Sequence, residues 1–327
     1  MKKTHCSGQT LVALALALAL VIFPFIVSSP VTRNLMILIF LYAGLAQAWN
    51  IVGGFAGQVS LGNAIFFAVG GYTSTLLLQH AALSPWVGAI AGAMLAMILA
   101  LVVGWPVFRL GGHYFAIATI AIGEIALALM ANWEAVGGAR GLTIPFVRDS
   151  SGRPADTWVW FQFNQNKLPY YFIALALMFT LAGLTAWLDR NKPGFYFRAI
   201  KNDQDAARSL GVNVLRYKLL AFVLSAAFTA LLGTLYAQYL LFIDPESTLA
   251  LRLSVLIALV AILGGVGTVW GPILGSFVLI PLGELSRAHL GGSGRAVDLI
   301  IYGALIVLIS VFQPAGLMGL GRRLRGK

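Results

Sequence analysis

An all-α integral membrane fold, a polytopic helical bundle of about ten transmembrane helices, is predicted by three properties of this 327-residue sequence. Hydrophobic residues make up 59% of it and charged residues 10%, whereas a soluble chain carries about 25% charged residues. The apolar residues fall into runs of bilayer length, and at about 20 residues per crossing the chain accommodates about ten. The charges gather between these runs, above all in Phe197–Lys218, FRAIKNDQDAARSLGVNVLRYK.

The first expected crossing lies near Leu11–Val27. Its MKK start and Leu/Ala core resemble a secretory signal, but the core is long for one and VSSP offers no clear small-x-small cleavage site, so it reads as an uncleaved span. Further spans are expected near Asn34–Val52, Ser60–Leu78, Trp86–Phe108, His113–Asn132, Tyr170–Leu188 and Leu219–Leu241. Leu253–Leu263 and Pro272–Leu285 come next, both short and separated by a Gly-rich run, and Val297–Phe312 completes the set. All of 1–327 then forms a single transmembrane domain.

With ten spans both termini share a side. On that side fall 14 of the 22 Lys and Arg: Lys2, Lys3, Arg109, the seven from Arg190 to Lys218, and Arg322, Arg323, Arg325 and Lys327. The remaining eight fall on the other side, so the positive-inside rule puts both termini in the cytoplasm. It makes 190–218 a cytoplasmic loop, 133–168 a periplasmic loop and 321–327 a basic cytoplasmic tail. The net charge of +11 does not point to nucleic acid, because the basic residues sit in loops and at the end of the chain rather than on a folded basic face. The single cysteine, Cys6, excludes an intrachain disulfide and a cysteine metal cluster, and no metal site is expected.

Glycine is concentrated rather than spread. Gly53 and Gly57, and Gly267, Gly271 and Gly275, stand at four-residue spacing, which suits close packing of helices in lipid. The runs GGFAGQVSLGN and GGVGTVWGP are denser than packing needs and resemble broken helix starts that line a cavity. Glu124 is the deepest ionisable residue in any span, suited either to a pathway or to a protonated packing role. Gln47, Asn50, Gln58, Ser60 and Asn63 form a second polar set, open to the same two readings: lining a route, or interhelical hydrogen bonding.

No enzyme is expected. GRRLRGK at the chain end matches part of a phosphate-binding loop but lacks the following Ser or Thr and any preceding strand. No H-E-x-x-H, paired-cysteine or G-x-S-x-G arrangement occurs. If transport is active, its energy comes from another subunit or an ion gradient.

The loop between the sixth and seventh spans is more specific. Asp203–Leu210 reads as a short helix with Gly211 at its stop position. Its D-A-A-x-x-x-G pattern, Asp205, Ala206 and Ala207 followed by Gly211, resembles the cytoplasmic coupling loop of ABC-importer permeases. Other stretches agree: GQVSLGNAIFFAVGGYTS, HYFAIATIAIGEI, FRAIKNDQDAARSLGVNVLRYKLLAFVLSA, LGGVGTVWGPILG and FQPAGLMGL, collinear from about residue 35 to 320. Together they resemble the LivM-type permease subunit of branched-chain amino acid ABC importers, a family that also includes permeases for urea, amides and aromatic acids.

The resemblance implies an ABC-importer permease in a bacterial inner membrane, moving a small polar solute, such as a branched-chain or other amino acid, by alternating access. Its implied partners are a second related permease, two cytoplasmic ATP-binding subunits, a periplasmic substrate-binding protein and membrane lipid, with no nucleic acid. The chain binds no cofactor itself, ATP being used by the partner subunits. The small alanines of the 203–211 helix would dock in an ATPase cleft while Arg198 and Lys201 grip its surface, and Glu124 and the third span would lie near the route. Two positions depart from the family pattern: Asn63 stands where His is frequent, and Arg140 stands where an acidic residue is usual in the outer loop. A stand-alone secondary transporter, motivated by Glu124 and the Gly-broken helices, is the alternative reading.

Overall fold

The computed structural model describes residues 17–27, 29–109, 114–148, 154–289, 303–304 and 316–319. Twelve α-helices in these residues make a bundle: α1 (Ala17–Ile26), α2 (Pro30–Asn50), α3 (Asn63–Ala81), α4 (Pro85–Val107), α5 (Tyr114–Asn132), α6 (Leu168–Arg190), α7 (Lys192–Asn202), α8 (Gln204–Ser209), α9 (Val214–Leu240), α10 (Pro245–Leu249), α11 (Leu251–Gly264) and α12 (Gly271–His289). Proline opens α2, α4 and α10 at the first turn, where its missing N–H leaves no backbone acceptor unfilled. A π-helical turn, Ile51–Phe55, extends α2.

Six runs among the described residues are long and apolar enough to cross a membrane: Pro30–Phe55, Pro85–Val107, Tyr114–Asn132, Leu168–Arg190, Val214–Leu240 and Pro245–Gly264. The expectation of about ten is therefore met only in part. Helix α3 falls short because Asn63, Gln79 and His80 lie at its ends, the apolar part of α12 (Gly271–Ser286) is too short, and only Ala17–Ile26 of α1 lies among the described residues. The expected span at 297–312 lies almost wholly outside the described residues, as do the start of the first one and the basic tail at 321–327. The span expected at Leu253–Leu263 is longer than its apolar core, because α10 leads into α11 across a one-residue break at Ala250.

Two groups of helices share the core. In one, α3 and α4 pack on each other and on α9; in the other, α2 packs against α6, α11 and α12, and contact between α2 and α9 joins the groups. Small residues allow the approach, as lipid-soluble bundles require. A Cβ on Gly233 would lie 2.0 Å from the Phe67 carbonyl oxygen, and one on Gly70 would overlap the Ala230 carbonyl. Helix α2 is central, with 78% of its apolar stretch buried, whereas only 17% of the α5 stretch is covered.

At one end of the bundle a two-residue antiparallel pair, β1 (Leu142–Thr143) with β2 (Phe242–Ile243), ties the segment after α5 to the turn after α9. The same segment is fastened by Trp86, which stacks on Phe161 at 4.2 Å and donates from Nε1 to the Trp158 carbonyl. Helices α7 and α8 lie between α6 and α9 at the other end of α6.

Candidate functional site

The charged loop folds as two helices rather than the single one expected, because Asp203 ends α7 and caps α8 at once. Its backbone is extended, and its carboxylate accepts from the amides of Asp205 and Ala206, both at 2.9 Å. Gly211 stops α8 with φ +86°, and an added Cβ there would meet nothing within 4 Å, so its requirement is conformational alone. The outer side of α8 is open: Asp205, Ala206, Arg208 and Leu210 are exposed.

Of three residues expected at a docking surface, Ala207 is buried, while Arg198, half-buried, and Lys201, exposed, bond to other parts of this chain. Ala207 is buried against Ile200 and Val214, because it sits on the side of α8 that packs onto α7 and α9. Arg198 donates to the Asp189 carboxylate and backbone carbonyl, both at 2.7 Å, closing the turn from α6 into α7. Lys201 donates from Nζ to the Gly54 carbonyl at 2.9 Å, in the π-helical end of α2. A further contact was not anticipated: buried Lys218 on α9 donates to Gln204 Oε1 at 2.8 Å and so holds the first residue of α8.

Lys201 reaches a junction where the two Gly-rich runs meet. Asn50 clamps them together, its Oδ1 accepting from the Gly267 amide at 2.8 Å and its Nδ2 donating to the Thr268 carbonyl at 2.9 Å. One turn earlier, Gln47 Nε2 donates to Thr185 Oγ1 at 2.5 Å and to the Val269 carbonyl at 3.0 Å. Both side chains are fully buried. Gly53 lies in the π turn, where a Cβ would strike the Trp49 ring, and Gln58 bonds only locally, to the Ala56 carbonyl at 3.2 Å.

The expected helix-packing glycines thus divide. Gly275 packs on the Val260 carbonyl and Gly271 opens α12 against the Gly265 carbonyl. Gly57 and Gly267 are not on helices; both are turn residues with positive φ, +69° and +76°. Their four-residue spacing therefore did not reflect a helix face.

The start of α3 forms a third polar group. Trp49 Nε1 donates to the Ser60 carbonyl at 2.7 Å, the Leu61 amide to Thr119 Oγ1 at 3.1 Å, and the Ala64 amide to Ser254 Oγ at 2.9 Å. Asn63 Nδ2 donates to Ser225 Oγ at 3.2 Å, while Asn63 Oδ1 and Ser60 Oγ, both fully buried, have no hydrogen-bond partner. A small apolar cavity beside them is lined by Gly62, Ile65, Phe66, Thr119 and Phe222. Thr119, Thr185, Ser225 and Ser254 were missed in the sequence; hydroxyls isolated within apolar runs were the available signal.

Glu124 does not join these groups. It lies exposed on α5 rather than inside the bundle, next to Gly123, whose missing side chain faces open space, and near exposed Ile117, Ile125 and Leu129. The reason is that α5 has little of this chain against it. No group of three or more metal-ligating side chains occurs among the described residues.

Comparison with known proteins places this geometry. The family model described as a branched-chain amino acid transport system permease component matches residues 31–310. The high-affinity branched-chain amino acid transport system permease protein LivM of Escherichia coli K12 is 31% identical over 329 residues, covering 96% of this chain and 76% of that protein. LivH of the same organism is 25% identical, covering 85% and 91%, and BraD of Pseudomonas aeruginosa is 25% identical with the same coverage. No solved structure matches the chain.

Proposed function

This chain belongs to the family of branched-chain amino acid transport permease components, a multi-pass membrane permease and not an enzyme, and from that premise we propose that it is the transmembrane subunit of an ABC importer. In this reading it moves a small polar solute, branched-chain amino acids before other amino acids, into the cytoplasm by alternating access. Separate ATPase subunits use the ATP, and this chain binds none. The observation that carries the reading is the α7–α8 loop: a capped helix open on its outer side, its first residue held by Lys218, beside Lys201 of α7, which bonds the Gly54 carbonyl in one of the Gly-rich breaks.

The remaining partners are inferred from surfaces and from the relatives. The chain is similar to both LivM and LivH of one organism, so the second permease is a different, related chain. The uncovered α5 suits that partner, which would place Glu124 at the seam between the two permeases, beside the route. The β1–β2 end, with Trp158 and Phe146 exposed, would face a periplasmic binding protein, and the α7–α8 end the cytoplasm. Ser60 and Asn63, with free buried oxygens at the start of α3, are the best-placed polar groups for a passing solute. The test is purification from membranes in mild detergent: two ATPases and a second permease are expected with this chain. A chain that purifies alone and drives gradient-dependent uptake in liposomes is a secondary transporter instead.

A further inference from the structure

Lys201 stands in the last turn of α7, three residues before α8 begins, and although the residue is exposed its side chain reaches back to the end of α2. Its ammonium bonds the Gly54 carbonyl. Inside the π turn the amides pass that carbonyl by: Ala56 N–H bonds Ile51 and Gln58 N–H bonds Val52. A carbonyl at a helix C-terminus carries partial negative charge, and an ammonium satisfies it well. The aliphatic stem is held too, since a Cβ on Gly57 would lie 2.8 Å from Lys201 Cγ and 3.2 Å from its Cα. Gly57 backbone therefore lies flat on the lysine.

The second break is at the same point. A Cβ on Gly54 would lie 2.7 Å from the Gly267 amide nitrogen, and one on Gly267 would lie 3.4 Å from Lys201 Nζ. The Asn50 clamp fixes Gly267 and Thr268 to the end of α2. Ile200 and Ala207 pack α7 and α8 together, so the two loop helices form one small unit. The ion pairs Asp205–Arg208 and Asp189–Arg198 lie within the loop or at its entry, and Lys218 binds Gln204 at the start of α8.

We infer that Lys201 is a positioning residue that fastens the α7–α8 unit to the junction of Gly54 and Gly267, so that displacement of α8 is passed to both chain breaks. The inference rests on the importer reading and deepens it. It reverses the expectation that Lys201 grips the ATPase, and it gives the two Gly-rich runs one mechanical input.

The test uses the complete transporter with its ATPases, in a Cys6→Ser background that frees this chain of other cysteines. Val59→Cys, on the exposed link between Gly57 and α3, serves as reporter. Its labelling by a small maleimide, read on the isolated subunit, is compared without nucleotide and after ATP–vanadate trapping. With Lys201 present, trapping is expected to change the labelling rate at least threefold. Lys201→Met should abolish that change while retaining the ATPases at the level seen with Lys201, and Lys201→Arg, which keeps a charged donor, should restore most of it. An unchanged nucleotide response in Lys201→Met, no response even with Lys201, or loss of the ATPases in Lys201→Met overturns the inference alone. Absence of ATPases from the unsubstituted complex overturns the importer reading as well.

Discussion

Replacing Asn50 by alanine removes both bonds that join the end of α2 to the 267–268 turn. The Gly267 amide and Thr268 carbonyl then lose their partner beside a fully buried position. Leaving a buried polar group unmade costs about 1–3 kcal/mol, so two set a range of about 2–6 kcal/mol. Interhelical side-chain bonds in membranes average nearer about 0.6 kcal/mol each, because freed groups find new partners. Here the cost lies between the two estimates: both groups belong to a half-buried turn outside any helix ladder, and the Gly54 backbone closes off the Gly267 amide. We expect about 2–4 kcal/mol, measured by denaturant titration of the purified permease against Gln58→Ala, whose single bond is local and whose loss costs about 1 kcal/mol. If Asn50→Ala matches Gln58→Ala within about 0.5 kcal/mol, the clamp is not structural and the reasoning about the junction fails.

Other substitutions separate docking from folding. Ala206→Glu, on the open side of α8, should leave stability unchanged and reduce ATPase retention in pull-downs. Ala207→Glu should instead lower the melting temperature, since it places a carboxylate among Ile200 and Val214. Gly211→Val forces a β-branched residue to φ +86°, a backbone cost of about 1–2 kcal/mol, and should weaken uptake while membrane insertion, read by glycosylation or protease mapping, stays intact. Gly233→Val should prevent α3 and α9 from packing and be lost from the membrane fraction by immunoblot. Glu124→Cys should cross-link to the second permease with a short bismaleimide, and failure to do so with any of its cysteine variants would remove α5 from the permease seam.

The apolar runs were legible because lipid demands long uninterrupted helices, and α4, α5, α6 and α9 lie within a few residues of where the sequence put them. Less legible were the features set by non-helical backbone. Gly57 and Gly267 had helical spacing, but their positive φ depends on what crosses them, namely Lys201 and Gly54, which lie far away in sequence. The burial of Ala207 and the bonds of Arg198 and Lys201 to other parts of the chain were hidden for a related reason: a loop rich in charge looks uniformly solvated until its helical faces are known. Asn50 and Gln47 were found as polar residues in an apolar run, yet, apart from Thr185 beside Gln47, their partners are backbone carbonyls and amides, which no residue pattern displays. Glu124 was expected inside because a carboxylate in lipid is costly; in this chain it is exposed because α5 is left largely uncovered.

The π turn at Ile51–Phe55 constrains how this protein can change length. A π turn winds more widely than the α-helix it extends, so deleting any one residue there would let α2 wind regularly to its end and shift every residue after the deletion by one place at the junction. The Gly54 carbonyl would swing off the lysine and Gly57 would leave its stem, although no side chain at the junction had been altered. Single-residue deletions in 51–55 should therefore be as damaging as substitutions at Lys201 or Asn50. The same deletion at Ala82 or Leu83, exposed in the turn between α3 and α4, should be far better tolerated.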